Sequence, residues 1–255
     1  MVTMNIKRFP DLEYQGKEAF NTLCTNLFFT GGDIKKIMIT SCSPQEGKSF
    51  IAMNMMRSLA ELGMRVILVD ADIRASSLQG TYNIRVSTDD ETSYQGLTRY
   101  LAGKCDARSI IGTTNIKGAN LVLAGKTVNN SLPLLTSPRL QRLLDGLVMD
   151  YDVILVDAPP VGTIIDAAKI APLCDGTVFV VQSGATSRQE YRESLYQLEK
   201  MGSQILGTVL NKHQEGRFGG KYYYHKAYYA AYGYGNSKRT HTQKRAVTKK
   251  KKRSV

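Results

Sequence analysis

The sequence has no tryptophan, only four scattered cysteines, no long uninterrupted apolar run, and no acidic side chain anywhere between Arg217 and Val255. Each absence excludes something. Cys24, Cys42, Cys105 and Cys174 form no Cys-x-x-Cys pair and no Cys/His cluster, so neither a zinc site nor a disulfide framework is indicated, and a reducing compartment fits. No stretch approaches the roughly 18 apolar residues needed to cross a bilayer. The opening MVTMNIKRFPDLEYQG lacks the apolar centre of a secretory signal. A cytoplasmic location is expected, and any membrane association has to be supplied by something else.

The missing acidic residues also explain the charge. The formal net charge is +12, yet residues 1–216 hold 22 basic and 22 acidic side chains, while residues 217–255 hold 12 basic and none acidic. The body is neutral and the tail carries the whole excess. A nucleic-acid-binding module would rest on that tail alone, and its salt-sensitive affinity should vanish when the tail is removed. No specific nucleic-acid partner is expected.

With 255 residues and 42% apolar content, the chain can form one full core plus a tail. Apolar runs recur at 36–40, 66–70, 121–124, 153–157, 177–182 and 205–210, separated by helical stretches at 16–29, 48–62, 137–149, 166–172 and 187–201. Short continuous β-branched runs alternating with helices predict an α/β, doubly wound, mostly parallel sheet of about six to eight strands, covered on both faces. The pattern stops after Asn211. The remainder of the chain is rich in glycine, tyrosine and lysine and almost devoid of aliphatic side chains. Such a segment cannot offset its ordering entropy by burial, so a body over 1–214 and a disordered tail over 215–255 are expected.

Directly after the first apolar run, SCSPQEGKSF (residues 41–50) opens a helix. A loop of this kind turns backbone N–H groups toward phosphate oxygens, and the helix N-terminus adds partial positive charge. Ser43, Pro44, Gln45, Glu46, Gly47, Lys48, Ser49 and Phe50 are the candidate nucleotide-binding residues. Gly47 permits close approach, Lys48 reaches the β- and γ-phosphates, and the Ser49 hydroxyl completes the coordination of Mg²⁺. The first glycine of the GxxxxGK[ST] pattern is replaced by Cys42. Two identical VILVD runs then place Asp70 and Asp157 at strand ends, where open α/β sheets bind ligands. Asp72 and Arg74 follow Asp70, and Arg74 is a candidate to steady the phosphates.

The set SxxPxEGKS, VDADIR and VDAPP resembles the Walker A, A′ and B motifs of bacterial tyrosine kinases. These are P-loop NTPases of capsule and exopolysaccharide assembly, with a fold similar to that of the MinD/ParA ATPases. EAFNTLCTNLFF (18–29), GLTRYLAG (96–103), DAAKIAPLCDGTVFVVQSGATSR and LGTVLNK resemble further parts of that family. The resemblance implies ATP as substrate with Mg²⁺, nucleotide and metal on Lys48 and Ser49, and metal organised by Asp70 and Asp157. It also implies adenine contact by Asn211, with Asp70 or Asp72 as the base that accepts the tyrosine proton. It implies further a transmembrane activator of the polysaccharide co-polymerase type that recruits the kinase to the inner face of the membrane, phosphorylation between copies of a homo-oligomer, and a cognate tyrosine phosphatase. The family's N-terminal helix normally carries Glu-x-x-Arg-x-x-Arg as a subunit contact. Here Glu18 is kept, but Asn21 and Cys24 stand in place of the arginines, and neither can supply a guanidinium's bidentate bonding.

Tyr222, Tyr223, Tyr224, Tyr228, Tyr229, Tyr232 and Tyr234 make up half of the chain's 14 tyrosines. No aliphatic partners accompany them, so they are not core. Base-stacking platforms or phosphate acceptors remain, and the resemblance implies acceptors. Seven phosphates would add roughly −10 to −14, enough to cancel the tail's charge. The closing KKKKR run suits a solubilising end, a polyanion or an anionic membrane surface, and from the last of these tyrosine phosphorylation would release it. The rival reading is a positioning ATPase of the MinD/ParA type, which hydrolyses ATP without phosphorylating protein. It typically carries a lysine five residues before the P-loop lysine, where this chain has Ser43, and it gives the tyrosines no role. Eukaryotic-type kinase chemistry is unsupported, because the H-R-D, D-F-G and G-x-G-x-x-G motifs are absent.

Overall fold

A computed structural model describes residues 2–29, 34–88, 94–162 and 165–213. In chain order its elements are β1 (Val2–Ile6), α1 (Tyr14–Phe29), β2 (Lys36–Ser41), α2 (Lys48–Glu61), β3 (Val66–Asp70), α3 (Leu78–Thr81), β4 (Ile84–Thr88), α4 (Gly96–Leu101), β5 (Gly112–Thr114), β6 (Ala119–Val122), α5 (Leu132–Leu135), α6 (Pro138–Leu147), β7 (Val153–Asp157), α7 (Asp166–Ile170), β8 (Gly176–Gln182), α8 (Arg188–Lys200) and β9 (Ile205–Asn211). The strands form one sheet in the order β4-β1-β5-β6-β3-β7-β2-β8-β9. All pairings are parallel except β1 with β4 and β5 with β6.

The apolar runs are continuous because the central strands bury both faces. Along β3, Val66 and Leu68 enter one core cluster while Ile67 and Val69 enter the other; along β7, Val153 and Leu155 divide from Ile154 and Val156 in the same way. This is the period-2 alternation of a pleated strand with helices on either side. Phe20, Cys24 and Leu27 of α1, with Met53, Met56 and Leu59 of α2, fill the first cluster. In α6, Leu140, Leu143, Leu144 and Leu147 follow helical spacing and fill the second. Helix α8 starts at a capping box in which the Ser187 hydroxyl accepts from Glu190 N–H and the Glu190 carboxylate accepts from Ser187 N–H.

The sheet is larger than expected, with nine strands instead of about six to eight. The additional strands β1, β4 and β5 lie together toward one side of the sheet, where burial is partial. Val2, Met4 and Ile6 of β1 face inward and alternate with less buried Thr3 and Asn5, and β4 alternates similarly. β5 is Gly-Thr-Thr, with no apolar signal at all. A Cβ at Gly112 would lie 2.5 Å from the Met4 side chain, so close packing takes the place of hydrophobicity there. The strand expected at 121–124 lies at Ala119–Val122 because the carbonyls of Leu123 and Ala124 leave the ladder and accept from Leu97 and Thr98 N–H, satisfying the first turn of α4. The expected tail lies outside the described residues.

Cys24 has a structural role. It is fully buried in the first cluster, and burial pushes its thiol up to about 12, which keeps it protonated. Asn21 is half-buried and Glu18 exposed on the same helix.

Leu144 is fully buried in the second cluster. Leu144→Ala is expected to lower unfolding free energy by about 2–5 kcal/mol through lost burial and a residual cavity. Urea denaturation should show a lower midpoint with unchanged slope.

Candidate active site

The loop 42–47 joins the end of β2 to the start of α2 and turns sharply. Gln45 and Gly47 both have left-handed backbone, with φ of 65° and 97°. At Gly47 this geometry needs glycine for a second reason: a Cβ would sit 2.0 Å from Asn211 Nδ2. The last third of the chain fastens the loop from outside. Asn211 Nδ2 donates to the Glu46 carbonyl at 2.8 Å, and Lys212 Nζ donates to the Gln45 carbonyl at 2.6 Å and to Gln182 Oε1 at 2.9 Å. The Glu46 carboxylate is buried within the loop, where Oε2 accepts from Ser43 N–H at 2.9 Å and Oε1 accepts from the Thr186 hydroxyl. Ser41 Oγ donates to the Ser43 carbonyl at 2.8 Å. Pro44 and Gln45 are exposed at the tip.

Lys48 and Ser49 begin α2 at the point where the helix leaves its first N–H groups unpaired. Lys48 Nζ lies 3.3 Å from Asp72 Oδ2, and Asp72 Oδ1 also accepts from Ala75 N–H at 3.1 Å. Phe50 turns inward instead, its ring meeting Phe20 edge-on at 6.0 Å and tying the P-loop helix to α1.

Asp70 and Asp157 are direct partners on neighbouring parallel strands, and both are almost fully buried. One oxygen of Asp70 accepts from the Ser76 hydroxyl. The Oδ1 of each aspartate is buried without a hydrogen-bond partner. Burial, reinforced by the charge of Asp157, pushes the Asp70 carboxyl well above the usual carboxylate range. Burial raises Asp157 too, opposed by the Lys48 charge and a hydrogen bond from Ser49. Two uncompensated oxygens beside a serine hydroxyl at a helix start suit a hard divalent cation. Mg²⁺ binds through one or two carboxylates and takes its remaining ligands from water and phosphate. Ser49, Asp70 and Asp157 therefore fit Mg²⁺ without a protein-only cage, and no cluster of three or more His, Cys, Asp or Glu that could hold a metal by itself occurs among the described residues.

Arg74 is directed elsewhere. Its Nε donates to Asp166 Oδ2 at 2.7 Å and one terminal nitrogen donates to the Asn129 carbonyl at 2.9 Å, while the Ser131 hydroxyl donates to the same carboxylate. The link joins the segment after β3 to the first turn of α7 just beyond β7, bracing the two strands that carry Asp70 and Asp157. The structure thus brings together the P-loop residues, Asp70, Asp72, Asp157 and Asn211, and sets Arg74 against Asp166. The seven tail tyrosines lie outside the described residues. Asp166, Gln182, Thr186 and Lys212 stand in stretches that resemble the family but carry no role read from the sequence, and Ser76 belongs to no motif.

A phosphate-binding loop on a parallel sheet with strand-end carboxylates defines a P-loop nucleotide-binding domain, and residues 34–205 match the family model of an AAA domain. Tyrosine-protein kinase CpsD of Streptococcus agalactiae is 37% identical over 199 residues, covering 78% of this chain and 84% of that protein. Among solved structures, the chimerical protein CapA2B2 superposes with a TM-score of 0.72 at 28% identity, covering 83% of this chain and 93% of that one. The kinase domain of Escherichia coli tyrosine kinase ETK gives 0.72 at 26% identity, covering 84% and 86%. The chain belongs to the bacterial tyrosine-kinase family.

Because the two carboxylates are buried side by side, Asp157→Asn is expected to stabilise the protein in EDTA by about 1–2 kcal/mol while removing most of the stabilisation that Mg²⁺ and ADP confer on the wild type. Thermal unfolding with and without MgADP reads both effects.

Proposed function

We propose that the chain is an ATP-dependent protein-tyrosine kinase that phosphorylates the tyrosines of its own C-terminal tail and acts in capsule or exopolysaccharide synthesis. The observation that carries this reading is the convergence of Lys48, Ser49, Asp70 and Asp157 at one sheet edge in a chain of this family that also has seven clustered tyrosines. The positioning-ATPase alternative is not favoured, since CpsD of Streptococcus agalactiae and ETK of Escherichia coli are named tyrosine kinases.

In this reading the P-loop N–H groups and Lys48 hold the β- and γ-phosphates, and the Asn211 amide oxygen faces the adenine while its Nδ2 stays on Glu46. Bound Mg²⁺ would neutralise phosphate charge and orient the γ-phosphoryl group. Asp70 or Asp72 would accept the tyrosine proton: Asp70 stands beside Asp157 where Mg²⁺ would bind, and Asp72 lies 3.3 Å from Lys48 Nζ at the same site. Arg74 acts by bracing the segments that follow the two strands carrying Asp70 and Asp157. The phenolic oxygen of the acceptor attacks the γ-phosphorus, the phosphorus bond to the ADP oxygen breaks, and the phenol proton passes to the carboxylate.

A transmembrane activator would recruit the kinase to the inner face of the membrane, copies would phosphorylate one another, and a tyrosine phosphatase would reset the tail. Among the described residues no helix is long and apolar enough to cross a membrane. Incubation with ATP and Mg²⁺, with and without the activator, followed by phosphotyrosine mapping, should modify Tyr222–Tyr234 in the wild type and leave Lys48→Met unmodified. ATP hydrolysis with an unmodified tail would return the reading to a positioning ATPase.

The basic tail gives a second expectation. A Lys or Arg near an anionic surface contributes about 1 kcal/mol, and phosphotyrosines oppose it. Unmodified protein should sediment with phosphatidylserine vesicles and phosphorylated protein should not. Equal sedimentation of the two forms would dismiss a membrane role for the tail.

A further inference from the structure

We propose that Lys212 is a positioning residue of the nucleotide site, and that through it the root of the tyrosine-rich tail becomes part of that site. The inference rests on the ATP-binding reading above and concerns a residue outside the motifs that bind nucleotide and metal.

A peptide unit is planar, so its carbonyl and the following N–H point in opposite directions. Whatever pulls the Gln45 carbonyl one way therefore turns the Glu46 N–H the other way, and whatever pulls the Glu46 carbonyl turns the Gly47 N–H. The two donors that do the pulling are consecutive residues at the end of β9. Lys212 Nζ holds the Gln45 carbonyl at 2.6 Å, and Asn211 Nδ2 holds the Glu46 carbonyl at 2.8 Å. The pair thus aims two successive N–H groups of the loop that must receive phosphate.

Backbone strain supports a specific arrangement. Gln45 and Lys212 are two of only three non-glycine residues with positive φ among the described residues, at 65° and 56°. Left-handed backbone at such residues is unfavourable and persists where the surroundings over-determine it. Here the two strained residues face each other across one ammonium. Gln182 Oε1, at 2.9 Å, fixes that ammonium from the end of the adjacent strand. Lys212 is exposed and contributes little to the core, so its bonds serve the loop and not the fold.

The arrangement is reciprocal. Phosphate bound to these N–H groups favours the same loop conformation that Lys212 favours, so nucleotide strengthens the Lys212 contact by the factor with which Lys212 strengthens nucleotide binding. Lys212 immediately precedes His213 and the tail. Nucleotide occupancy therefore fastens the point from which the tail departs.

The test uses the full chain. MgADP affinity is measured by calorimetry for wild type, Lys212→Met and Lys212→Arg. Lys212→Met should bind about three- to tenfold more weakly, the worth of a partly exposed charge-assisted contact. Lys212→Arg, which keeps the charge and donors, should recover most of the loss. The nucleotide-free melting temperature should change by less than about 2 °C, and turnover at saturating ATP should be retained while KM for ATP rises. Amide exchange at Glu46 and Gly47 should quicken in Lys212→Met, and MgADP should slow tryptic cleavage after Lys212 in the wild type. Equal affinities for wild type and Lys212→Met, or an arginine variant as weak as the methionine one, would overturn the positioning role. Cleavage after Lys212 at a rate indifferent to MgADP would overturn the link to the tail. A wild-type chain that bound no MgADP would instead overturn the nucleotide reading itself.

Discussion

Asp70 and Asp157 stand side by side because β3 and β7 are neighbouring parallel strands in register, each ending in the same five residues. Parallel strands that bury both faces bring their carboxyl ends to one edge, and an aspartate at each end is then forced against the other in an apolar setting. Two such carboxylates without a cation are unfavourable, and burial raises the proton affinity of both. The rest of the site offsets that strain: Lys48 approaches from the helix start, Ser76 donates to Asp70, and Arg74 with Asp166 braces the flanking segments. The compensation that the protein's own side chains leave incomplete is the kind that Mg²⁺ and nucleotide supply. Binding is thus built into an arrangement that is less stable empty than occupied.

The legibility of this arrangement follows its physics. VILVD is recognisable as a buried strand because both of its faces are apolar, and the P-loop because phosphate chemistry demands a glycine, a lysine and a hydroxyl at fixed spacing. The strands β1, β4 and β5 escape such a reading because their burial is one-sided or, at Gly112, achieved by absence of a side chain. The roles of residues such as Thr186, Gln182 and Lys212 are invisible for a different reason. Their partners lie more than a hundred positions away or in another loop, and a single long-range hydrogen bond leaves no periodic trace. Arg74 shows the converse, since its place in a motif suggests phosphate contact while the fold supplies Asp166 as a nearer partner.

The P-loop is accordingly not a self-sufficient motif in this chain. Cys42 stands where the pattern has its first glycine, and the conformation of the loop is fixed by Thr186, Asn211 and Lys212, all contributed after β8. Removing the last strand would leave the motif intact in sequence and its N–H groups without direction. The buried Glu46 carboxylate has the same meaning: it is satisfied by the Ser43 N–H within the loop and by a hydroxyl from across the sheet edge. Precision is obtained from contacts that form only when the whole sheet is complete.

Helix α1 places a limit on how copies can cooperate. Cys24 is core, packed with Phe20 and Leu27 against the P-loop helix, so a charged side chain could not be accommodated there without loss of the cluster. Any subunit contact through this helix has to use its exposed side, where Glu18 remains. The tail sets the complementary bound. Tyr222 lies eleven residues beyond Asn211, and an extended chain of that length spans at most about 40 Å. Within that reach, the preference for phosphorylation between copies proposed above depends on how the bodies are apposed.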